Sequence, residues 1–411
     1  MKSVLIVGFN TRPLAYSLKN GGYEVYAVDF FGDLDLYPNI KDCIIVTKKL
    51  QINYPLIIDR YSKFLAEFTI DLMQMYPKIN YLLIGSGLDD SYKERETILN
   101  EIKKSKYEIL SVNNKIDVIK KARNIENIYN FLKSKEYNVP LTYSFDEFKS
   151  KINNFEFPFI LKKKTGSGGI NVNKIENENQ LSFFIKKQKT KRFNPSDWLI
   201  QEYINGLPIS CTVISNGSEC EVISINRQII GLKFLNPPKK FMYCGNIVPA
   251  YIFKEDEKLI SEISVFLTKM LGLRGINGFD FVLKDHYPYL MEINPRIPGS
   301  INVSETVLNL NLLDLHIKSF VNSNWEFIKN TIKCTKPKGF ATKLIMYAPK
   351  DIDKEVIPKI NQLENLHDKT EPKTVLKDEP LCTILYKDKN LSESYFGALK
   401  IAIEIKKIIG D

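Results

Sequence analysis

The sequence predicts a multi-domain protein of the α/β and α+β class, and three observations support this prediction. Residues 3–29 alternate strand, helix and strand, which is the pattern of a parallel sheet. The segments 157–175 and 278–294 each join two apolar runs through a short polar turn, which predicts antiparallel hairpins. The length of 411 residues is enough for roughly two to four domains with a substantial core.

Composition and charge narrow the class of protein. Hydrophobic residues make up 44% of the chain and charged residues 26%, as in soluble globular proteins. Every apolar run is shorter than the roughly 18 residues of a membrane span, and the first apolar run is too short for a signal peptide. We therefore predict a cytoplasmic protein with no membrane association. The net charge of +10 comes from lysines interleaved with acids, which favours anionic small molecules over nucleic acid as partners.

The cysteines and histidines make a zinc site or a disulfide framework improbable. There are six cysteines with no CxxC pair and three histidines with no HExxH or HxxxH spacing. Buried free thiols are the expectation for most of these cysteines.

The N-terminal strand, helix and strand resemble a dinucleotide-binding unit only in outline. Asp29 ends the second strand, where such folds place the acid that binds a ribose. Gly8 is not followed by the GxG turn, so we predict a plain α/β scaffold and not a NAD site. A further strand runs into a polar loop at its carboxyl end, where Gly85, Ser86 and Asp89 are candidates for a substrate pocket. An ordinary turn explains these residues equally well.

The segment GFDFVLKDHYPYLMEINPR, residues 278–296, holds two acids in otherwise apolar runs. A hairpin centred on His286 would put Asp280 opposite Glu292, with Asn294 beyond them on the same face. It would also create the apolar pairs Phe279–Ile293, Phe281–Met291 and Val282–Leu290. Two carboxylates directly across a ladder repel each other, so the arrangement needs an explanation.

A divalent cation supplies that explanation. Asp280, Glu292 and Asn294 would offer two carboxylates and an amide oxygen, which are the ligands that Mg²⁺ or Mn²⁺ prefers together with substrate phosphates. Arg296 would extend the same face toward a phosphate or another anion. The alternatives are a solvated outer face for the two acids and a surface salt bridge for the arginine.

The turn KKKTGSGG is a second candidate for anion binding. Gly166, Gly168 and Gly169 would let backbone amides approach an anion, and the neighbouring lysines add positive charge. It is not a P-loop, because no GxxxxGK[ST] precedes a helix. An exposed hairpin turn is an equally good explanation when the segment is considered alone.

The ordered set of a strand lysine, a glycine-rich hairpin, QEYI and GFDFVL…YLMEINPR resembles the ATP-grasp superfamily. The resemblance covers roughly residues 115–310 and is closest to the carboligase-like group related to biotin carboxylase, of the carboxylate–amine ligase type. It implies the ATP-grasp fold, a Rossmann-like pre-ATP-grasp domain before it and a small strand and helix unit after it. The implied domains are 1–114, the lid subdomain 115–204, the large subdomain 205–330 and the C-terminal unit 331–411.

The resemblance also implies roles for individual residues. Those that would bind the nucleotide are the phosphate lysine Lys162, the loop Gly166, Ser167, Gly168 and Gly169, and the adenine linker Glu202, Tyr203 and Ile204. Asp280, Glu292 and Asn294 match the magnesium ligands, while Arg296 and Lys162 match the catalytic cations. Ile209 and Ser210 replace the acid that often binds the ribose. A second phosphate cation is not clearly placed, and Lys121 or Arg123 would serve.

The resemblance implies an enzyme that activates a carboxylate with ATP and joins it to an amine, with both substrates small molecules and a homodimer as a common assembly. A phosphotransferase or a non-catalytic nucleotide-binding protein could use the same site. The positive charge and Arg227 suggest an anionic acceptor, so Arg227, Arg296 and Ser86 are substrate candidates.

Overall fold

The structure is a computed structural model that describes residues 1–52, 60–104, 108–147, 156–166, 168–189, 194–321 and 324–410. Three sheets organise these residues: a five-stranded parallel sheet, a four-stranded antiparallel sheet and an eight-stranded antiparallel sheet. The predicted α/β and α+β class is confirmed. Within the residues that the structure describes, no helix is both long and apolar enough to cross a membrane.

The N-terminal sheet has the strand order β3-β2-β1-β4-β5, with every pair parallel. Its strands are β1 (Ser3–Gly8), β2 (Glu24–Asp29), β3 (Asp42–Ile45), β4 (Tyr81–Ile84) and β5 (Leu110–Ser111). The helices of this region are α1 (Arg12–Asn20), α2 (Val46–Leu50), α3 (Tyr61–Met75) and α4 (Tyr92–Lys104). Every residue of β1 is buried, because helices cover both faces of such a sheet.

The four-stranded sheet has the order β6-β9-β7-β8. Its strands are β6 (Thr142–Ser144), β7 (Phe159–Lys163), β8 (Val172–Ile175) and β9 (Trp198–Glu202), with the helix α7 (Glu178–Lys189) beside them. Alternate residues of β7 and β9, including Phe159, Leu161 and Ile200, form a small core. This core positions the glycine-rich turn between β7 and β8.

Two helices that precede this sheet belong to a different core. They are α5 (Ile116–Arg123) and α6 (Ile125–Ser134), which are separated by Asn124, whose side chain caps α6 by accepting from the Asn127 amide. Tyr129 of α6 and Ala122 of α5 are buried with residues of the eight-stranded sheet, such as Ile209. The end of α5 therefore lies against the strands that carry the acids.

The eight-stranded sheet has the order β14-β13-β10-β11-β12-β15-β17-β16. Its strands are β10 (Leu207–Asn216), β11 (Cys220–Ile230), β12 (Tyr243–Val248), β13 (Arg274–Lys284), β14 (Tyr287–Asn294), β15 (Phe340–Tyr347), β16 (Leu366–His367) and β17 (Pro380–Asp388). The remaining helices are α8 (Lys254–Leu271), α9 (Ile301–Leu308), α10 (Leu312–Lys318), α11 (Trp325–Cys334), α12 (Ile357–Asn361) and α13 (Leu391–Ile409). The units predicted as 205–330 and 331–411 thus share one continuous sheet.

The hairpin of β13 and β14 confirms the predicted register near the acids and corrects it further out. Phe279 pairs with Ile293 and Asp280 with Glu292, as predicted. The pairs Phe281–Met291 and Val282–Leu290 were wrong, because a bulge at Met291 changes them to Phe281–Leu290 and Val282–Tyr289. The turn consists of Asp285 and His286, whose φ values of 50° and 65° fit a two-residue hairpin turn.

Candidate active site

A cleft of about 670 Å³ lies between the four-stranded and eight-stranded sheets. Its lining includes residues of the strand lysine and glycine-rich turn, the linker after β9, the strands β10, β11 and β12, the β13–β14 hairpin and the loop after β4. The sequence-predicted residues on its wall are Ser86, Lys162, Gly168, Gly169, Glu202, Tyr203, Ile204, Asp280, Glu292, Asn294 and Arg296. Most of the candidates that were far apart in the sequence are therefore brought to one cleft.

The two acids of the hairpin face this cleft from directly opposed positions on β13 and β14. Asp280 accepts from Asn294 Nδ2 at 2.9 Å and from Gln228 Nε2 at 3.0 Å. Desolvation by the surrounding protein, and then the charge of Glu292, raise the pKa of Asp280 to about 7. The fold thus holds Asp280 in surroundings that disfavour its charge unless a cation lies nearby.

The donor set fits a hard divalent cation. Asn294 uses its amide nitrogen on Asp280, so its amide oxygen joins the two carboxylates as an oxygen ligand. In the part of the chain that the structure describes, no group of three or more His, Cys, Asp or Glu side chains is placed to hold a metal ion. A cation held by Asp280, Glu292 and Asn294 would therefore complete its shell with water or phosphate oxygens, as Mg²⁺ and Mn²⁺ do.

Arg123, at the end of α5, contacts both Glu292, one of the metal candidates, and the glycine-rich turn. Its Nη1 donates to Glu292, and its Nη2 donates to the carbonyl oxygen of Gly166 at 2.6 Å. Burial would lower the pKa of Arg123, but Glu292 and Asp90 raise it above its usual value. Of the two cations considered for the second phosphate contact, the structure brings Arg123 to the site and leaves Lys121 exposed.

Lys162 projects from β7 toward the same point. Its Nζ donates to the carbonyl oxygen of Met291 at 3.4 Å, a weak hydrogen bond for an ammonium group. Burial lowers the pKa of Lys162 to about 8, against the opposing effect of Glu292. A bound anion would stabilise the charged form of this lysine.

The glycine-rich turn follows Lys162 with three glycines at positive φ: Gly166 at 126°, Gly168 at 68° and Gly169 at 76°. A Cβ at Gly169 would lie 1.9 Å from the carbonyl oxygen of Phe241, so only glycine fits this approach of two backbones. Ser167, the fourth predicted residue of the turn, lies outside the described residues.

The linker after β9 forms the far wall of the cleft. The amide of Glu202 donates to the carbonyl oxygen of Leu141 at 2.8 Å, and beyond it Tyr203 and Ile204 leave the strand. Lys174 Nζ lies 4.2 Å from the centroid of the Tyr203 ring. A role for Glu202, Tyr203 and Ile204 in binding adenine stays a prediction.

Comparison with known proteins agrees with this arrangement. Residues 122–300 match the ATP-grasp domain family. The chain has the ATP-grasp fold. An uncharacterized protein of Methanocaldococcus jannaschii is 29% identical over 401 residues, which are 93% of this chain and 88% of that protein. The D-alanine–D-alanine ligase of Flavobacterium psychrophilum is 27% identical over 143 residues, 34% of this chain and 42% of the ligase.

The likeness to solved structures covers nearly the whole chain. Biotin carboxylase from Campylobacter jejuni, solved as a β,γ-ATP complex, superimposes with a TM-score of 0.70 at 15% identity. The superposition covers 98% of this chain and 91% of the carboxylase. The predicted resemblance to the ATP-grasp group that includes biotin carboxylase is therefore confirmed at the level of the fold.

Of the three residues predicted to bind the acceptor substrate, two lie at the cleft and one does not. Ser86 and Arg296 line the cleft, and Arg296 Nε pairs with Asp89. Arg227 is exposed and does not line the cleft. Because successive residues of a strand point to opposite faces, its neighbour Gln228 reaches Asp280 while Arg227 points away.

Sequence reasoning missed Gln228 and Asp90, and it gave Arg123 only as one of two possibilities. Ser210 of β10 pairs with Asn226 of β11 on one side and with Asp280 of β13 on the other, so these three residues share a face of the sheet. Gln228 is two residues after Asn226 and therefore lies on the same face, and this alternation would have identified it. Asp90 follows Asp89, and no local pattern marks it. Ile209 and Ser210 stand where an acid that binds the ribose was expected. Ser210 lines the cleft, and Ile209 is buried in the core.

Asp29, at the end of β2, is fully used by its own domain. One oxygen accepts from the Thr11 amide at 2.6 Å and from the Thr11 hydroxyl at 2.8 Å. The other accepts from the amides of Phe31 at 2.9 Å and Gly32 at 2.7 Å. These donors leave no carboxylate oxygen for a ribose, in agreement with the prediction of a plain scaffold.

Proposed function

We propose that this ATP-grasp protein is an ATP- and Mg²⁺-dependent ligase that joins a carboxylate to an amine and releases ADP and phosphate. One observation carries the proposal: Asp280 and Glu292, a repelling carboxylate pair, face the same cleft as Lys162 and Arg296. A site for two substrates and a nucleotide needs such a concentration of opposite charges around one volume. The 27% identity to a D-alanine–D-alanine ligase over 143 residues supports the choice of reaction.

The proposed reaction has two steps. A carboxylate oxygen of the first substrate attacks the γ-phosphorus of ATP, and the bond from that phosphorus to the ADP oxygen breaks. The amine nitrogen then attacks the acyl carbon of the resulting acyl phosphate, phosphate leaves, and the nitrogen loses a proton to form the amide. Neither step needs a nucleophilic side chain from the protein.

The protein would contribute by placing charge. Lys162 and Arg123 lie beside the glycine-rich turn, where they would neutralise the phosphates of the nucleotide. Arg296 lies on the wall of the larger cleft, where it would stabilise the charge of the acyl phosphate. A cation on Asp280, Glu292 and Asn294 would supply charge neutralisation at the phosphates when bound.

An oxygen-transfer experiment tests the proposal. The protein is incubated with MgATP and a panel of small carboxylic acids labelled with ¹⁸O in the carboxylate, together with candidate amines. We expect ADP, an amide and phosphate carrying one ¹⁸O, because the attacking oxygen leaves with the phosphorus. Unlabelled phosphate accompanied by an amide would contradict the acyl phosphate. A phosphorylated product that accumulates with no amide would indicate a phosphotransferase instead.

Glu292→Ala is the matched control for this experiment. The variant should give neither labelled phosphate nor amide, which excludes a contaminating ligase as the source of both. A homodimer and a cytoplasmic location stay predictions.

A further inference from the structure

The loop after β4 carries two consecutive acids, and each contacts a different arginine: one on the wall of the cleft and one beside the glycine-rich turn. Asp89 pairs with Arg296, which follows β14, and Asp90 pairs with Arg123 at the end of α5. The two arginines are far apart in the sequence. One short loop of the N-terminal domain therefore contacts the cationic residues at both ends of the site.

Asp90 binds two groups at the nucleotide end. Its Oδ1 accepts from Arg123 Nε at 2.9 Å, and its Oδ2 accepts from Arg123 Nη2 at 2.9 Å. The same Oδ2 accepts from the Gly166 amide at 2.8 Å. This bidentate pair fixes the guanidinium plane, and Arg123 Nη2 also donates to the carbonyl oxygen of Gly166. Arg123 and the first glycine of the turn are thus held as one unit.

Asp89 accepts one hydrogen bond on each of its oxygens at the other end. Its Oδ1 accepts from Arg296 Nε, and its Oδ2 accepts from the Gly87 amide at 3.1 Å. Burial would raise the pKa of Asp89, but Arg296 and Arg123 lower it below its usual value. From behind the loop, the buried Arg95 donates through Nε to the carbonyl oxygen of Leu88 at 2.6 Å. The acid and its loop are therefore rigidly placed.

The contact of Arg123 with Glu292 shows why such restraint is needed. Arg123 Nη1 reaches Glu292, so a free guanidinium could form a full pair with the carboxylate that a cation must occupy. Asp90 already binds Nε and Nη2, which leaves only Nη1 for Glu292. When a cation takes Glu292, Arg123 would stay in place with one edge free for a phosphate.

We infer that Asp89 and Asp90 are positioning residues, each of which holds one of the two arginines against a different phosphate group. Asp90 sets Arg123 and Gly166 for the phosphates of the bound nucleotide, and Asp89 sets Arg296 for the phosphoryl group in transfer. This inference rests on the proposed function, because it assumes that nucleotide phosphates and a transferred group occupy the cleft. It predicts that substitutions of Asp89 and of Asp90, although the two residues are adjacent, weaken the binding of two different groups.

Equilibrium binding separates the two events without knowledge of the acceptor. Titration calorimetry measures the Kd of MgADP alone and the Kd of orthovanadate, a mimic of a phosphoryl group in transfer, for the MgADP-saturated protein. The variants are Asp89→Asn and Asp90→Asn, which keep the side-chain shape. Asp117→Asn, at an exposed acid in the first turn of α5, is the control for loss of one charge nearby.

The expected results differ for each variant. Asp90→Asn should weaken MgADP binding at least about tenfold, which is the effect of losing a charge-assisted contact. Asp89→Asn should keep the MgADP Kd within about threefold of wild type but weaken orthovanadate binding at least about tenfold. Asp117→Asn should change neither, and the thermal midpoints of the variants should stay near that of the wild type.

Each other outcome overturns a specific claim. If wild type does not bind MgADP, the proposed function fails. If wild type binds both probes and the two variants lose both equally, or lose neither, the ATP site stands and the assignment of Asp89 and Asp90 is wrong. A variant that does not fold is replaced by Asp89→Glu or Asp90→Glu, which keeps the charge and should shift the same probe in a smaller measure.

Discussion

Asp29 and Asp280 are both aspartates within strands, and in both desolvation by the protein raises the pKa of the carboxyl group. The donors around them differ. Asp29 accepts four hydrogen bonds, from the Thr11 amide and hydroxyl and from the amides of Phe31 and Gly32. Asp280 accepts from two side-chain amides and faces a second carboxylate, Glu292.

The difference separates a structural acid from an acid in a binding site. Backbone donors that converge on Asp29 are fixed by the fold, so the carboxylate holds the β1–α1 loop and has no capacity left. The side chains around Asp280 leave an unfavourable interaction that only a cation would remove. Position at the end of a strand does not distinguish the two acids, but the source of their hydrogen bonds does.

The largest expected effect comes from removing either acid of the hairpin. Asp280→Asn and Glu292→Ala should each lower ATP turnover at least about 100-fold, because the site loses a cation ligand. Asp280→Asn should also keep or raise the thermal midpoint, because a like-charge contact is removed. Turnover is measured by ADP release, and stability by thermal unfolding without Mg²⁺. Normal turnover in Glu292→Ala would refute the metal site.

The opposite pattern, a lower stability with unchanged turnover, is expected for a substitution of Asp29. Asp29→Asn should lower the free energy of unfolding by about 2–3 kcal/mol, because an amide NH₂ would face backbone donors that now bind a carboxylate. The folded protein should keep its turnover. Denaturant unfolding and ADP release, both measured well below the thermal midpoint of the variant, give the two quantities. A folded variant that has lost its turnover would place Asp29 in the active site.

A buried histidine extends the comparison to pH. His316 Nδ1 accepts from the Ile276 amide at 2.9 Å, and Nε2 lies 2.9 Å from the carbonyl oxygen of Val112. Burial lowers the pKa of His316 to about 4. The neutral ring is favoured in the folded state, so its stabilising effect is present above about pH 6.5 and is lost as the pH falls toward 4.

This histidine predicts a pH-dependent loss of stability of about 2 kcal/mol between pH 7 and pH 5. The measurement is the free energy of unfolding at both pH values in wild type and in His316→Gln. Other titrating groups act equally in the two proteins, so the wild type should lose about 2 kcal/mol more than the variant. An equal loss in both would show that His316 already titrates near its usual pKa when folded.

The smallest effect is expected at Arg227. Because this side chain is exposed and does not line the cleft, Arg227→Ala should change stability by less than about 0.5 kcal/mol and leave turnover within about twofold. Its neighbour provides the matched variant, since Gln228→Ala removes a hydrogen bond to Asp280 and should lower turnover at least about threefold. A loss of acceptor affinity in Arg227→Ala alone would restore it as a substrate residue.

Much of the fold and part of the site follow from local sequence patterns. Residues 3–29 predict their strands and helix because burial on both faces demands continuous apolar runs. The facing of Asp280 and Glu292 follows from the alternation of a strand and the position of one turn. Both are properties of short segments, and these are what the sequence encodes most directly.

The rest depends on pairing between distant segments. Arg123 and Asp90 are recognisable only when α5, the β4 loop and the glycine-rich turn are brought together. Gln228 and not Arg227 lines the cleft because of the register in which β11 pairs with β10, and this register cannot be read from either strand alone. Likewise, the continuity of the C-terminal strands with the large sheet comes from the pairing of β12 with β15.

The bulge at Met291 allows β14 to serve two environments. In an unbroken strand Leu290 and Glu292 would point the same way, yet Leu290 is 1% exposed in the core while Glu292 lines the cleft. The extra residue inverts the alternation at this point and leaves the Met291 carbonyl oxygen for Lys162. On the turn side of the bulge Leu290 therefore faces the hydrophobic core, and on its other side Glu292 faces the cleft. Deleting Met291 would leave Phe281 paired with Leu290 and Asp280 paired with Glu292, so both environments would be kept and only the carbonyl oxygen that Lys162 contacts would be lost.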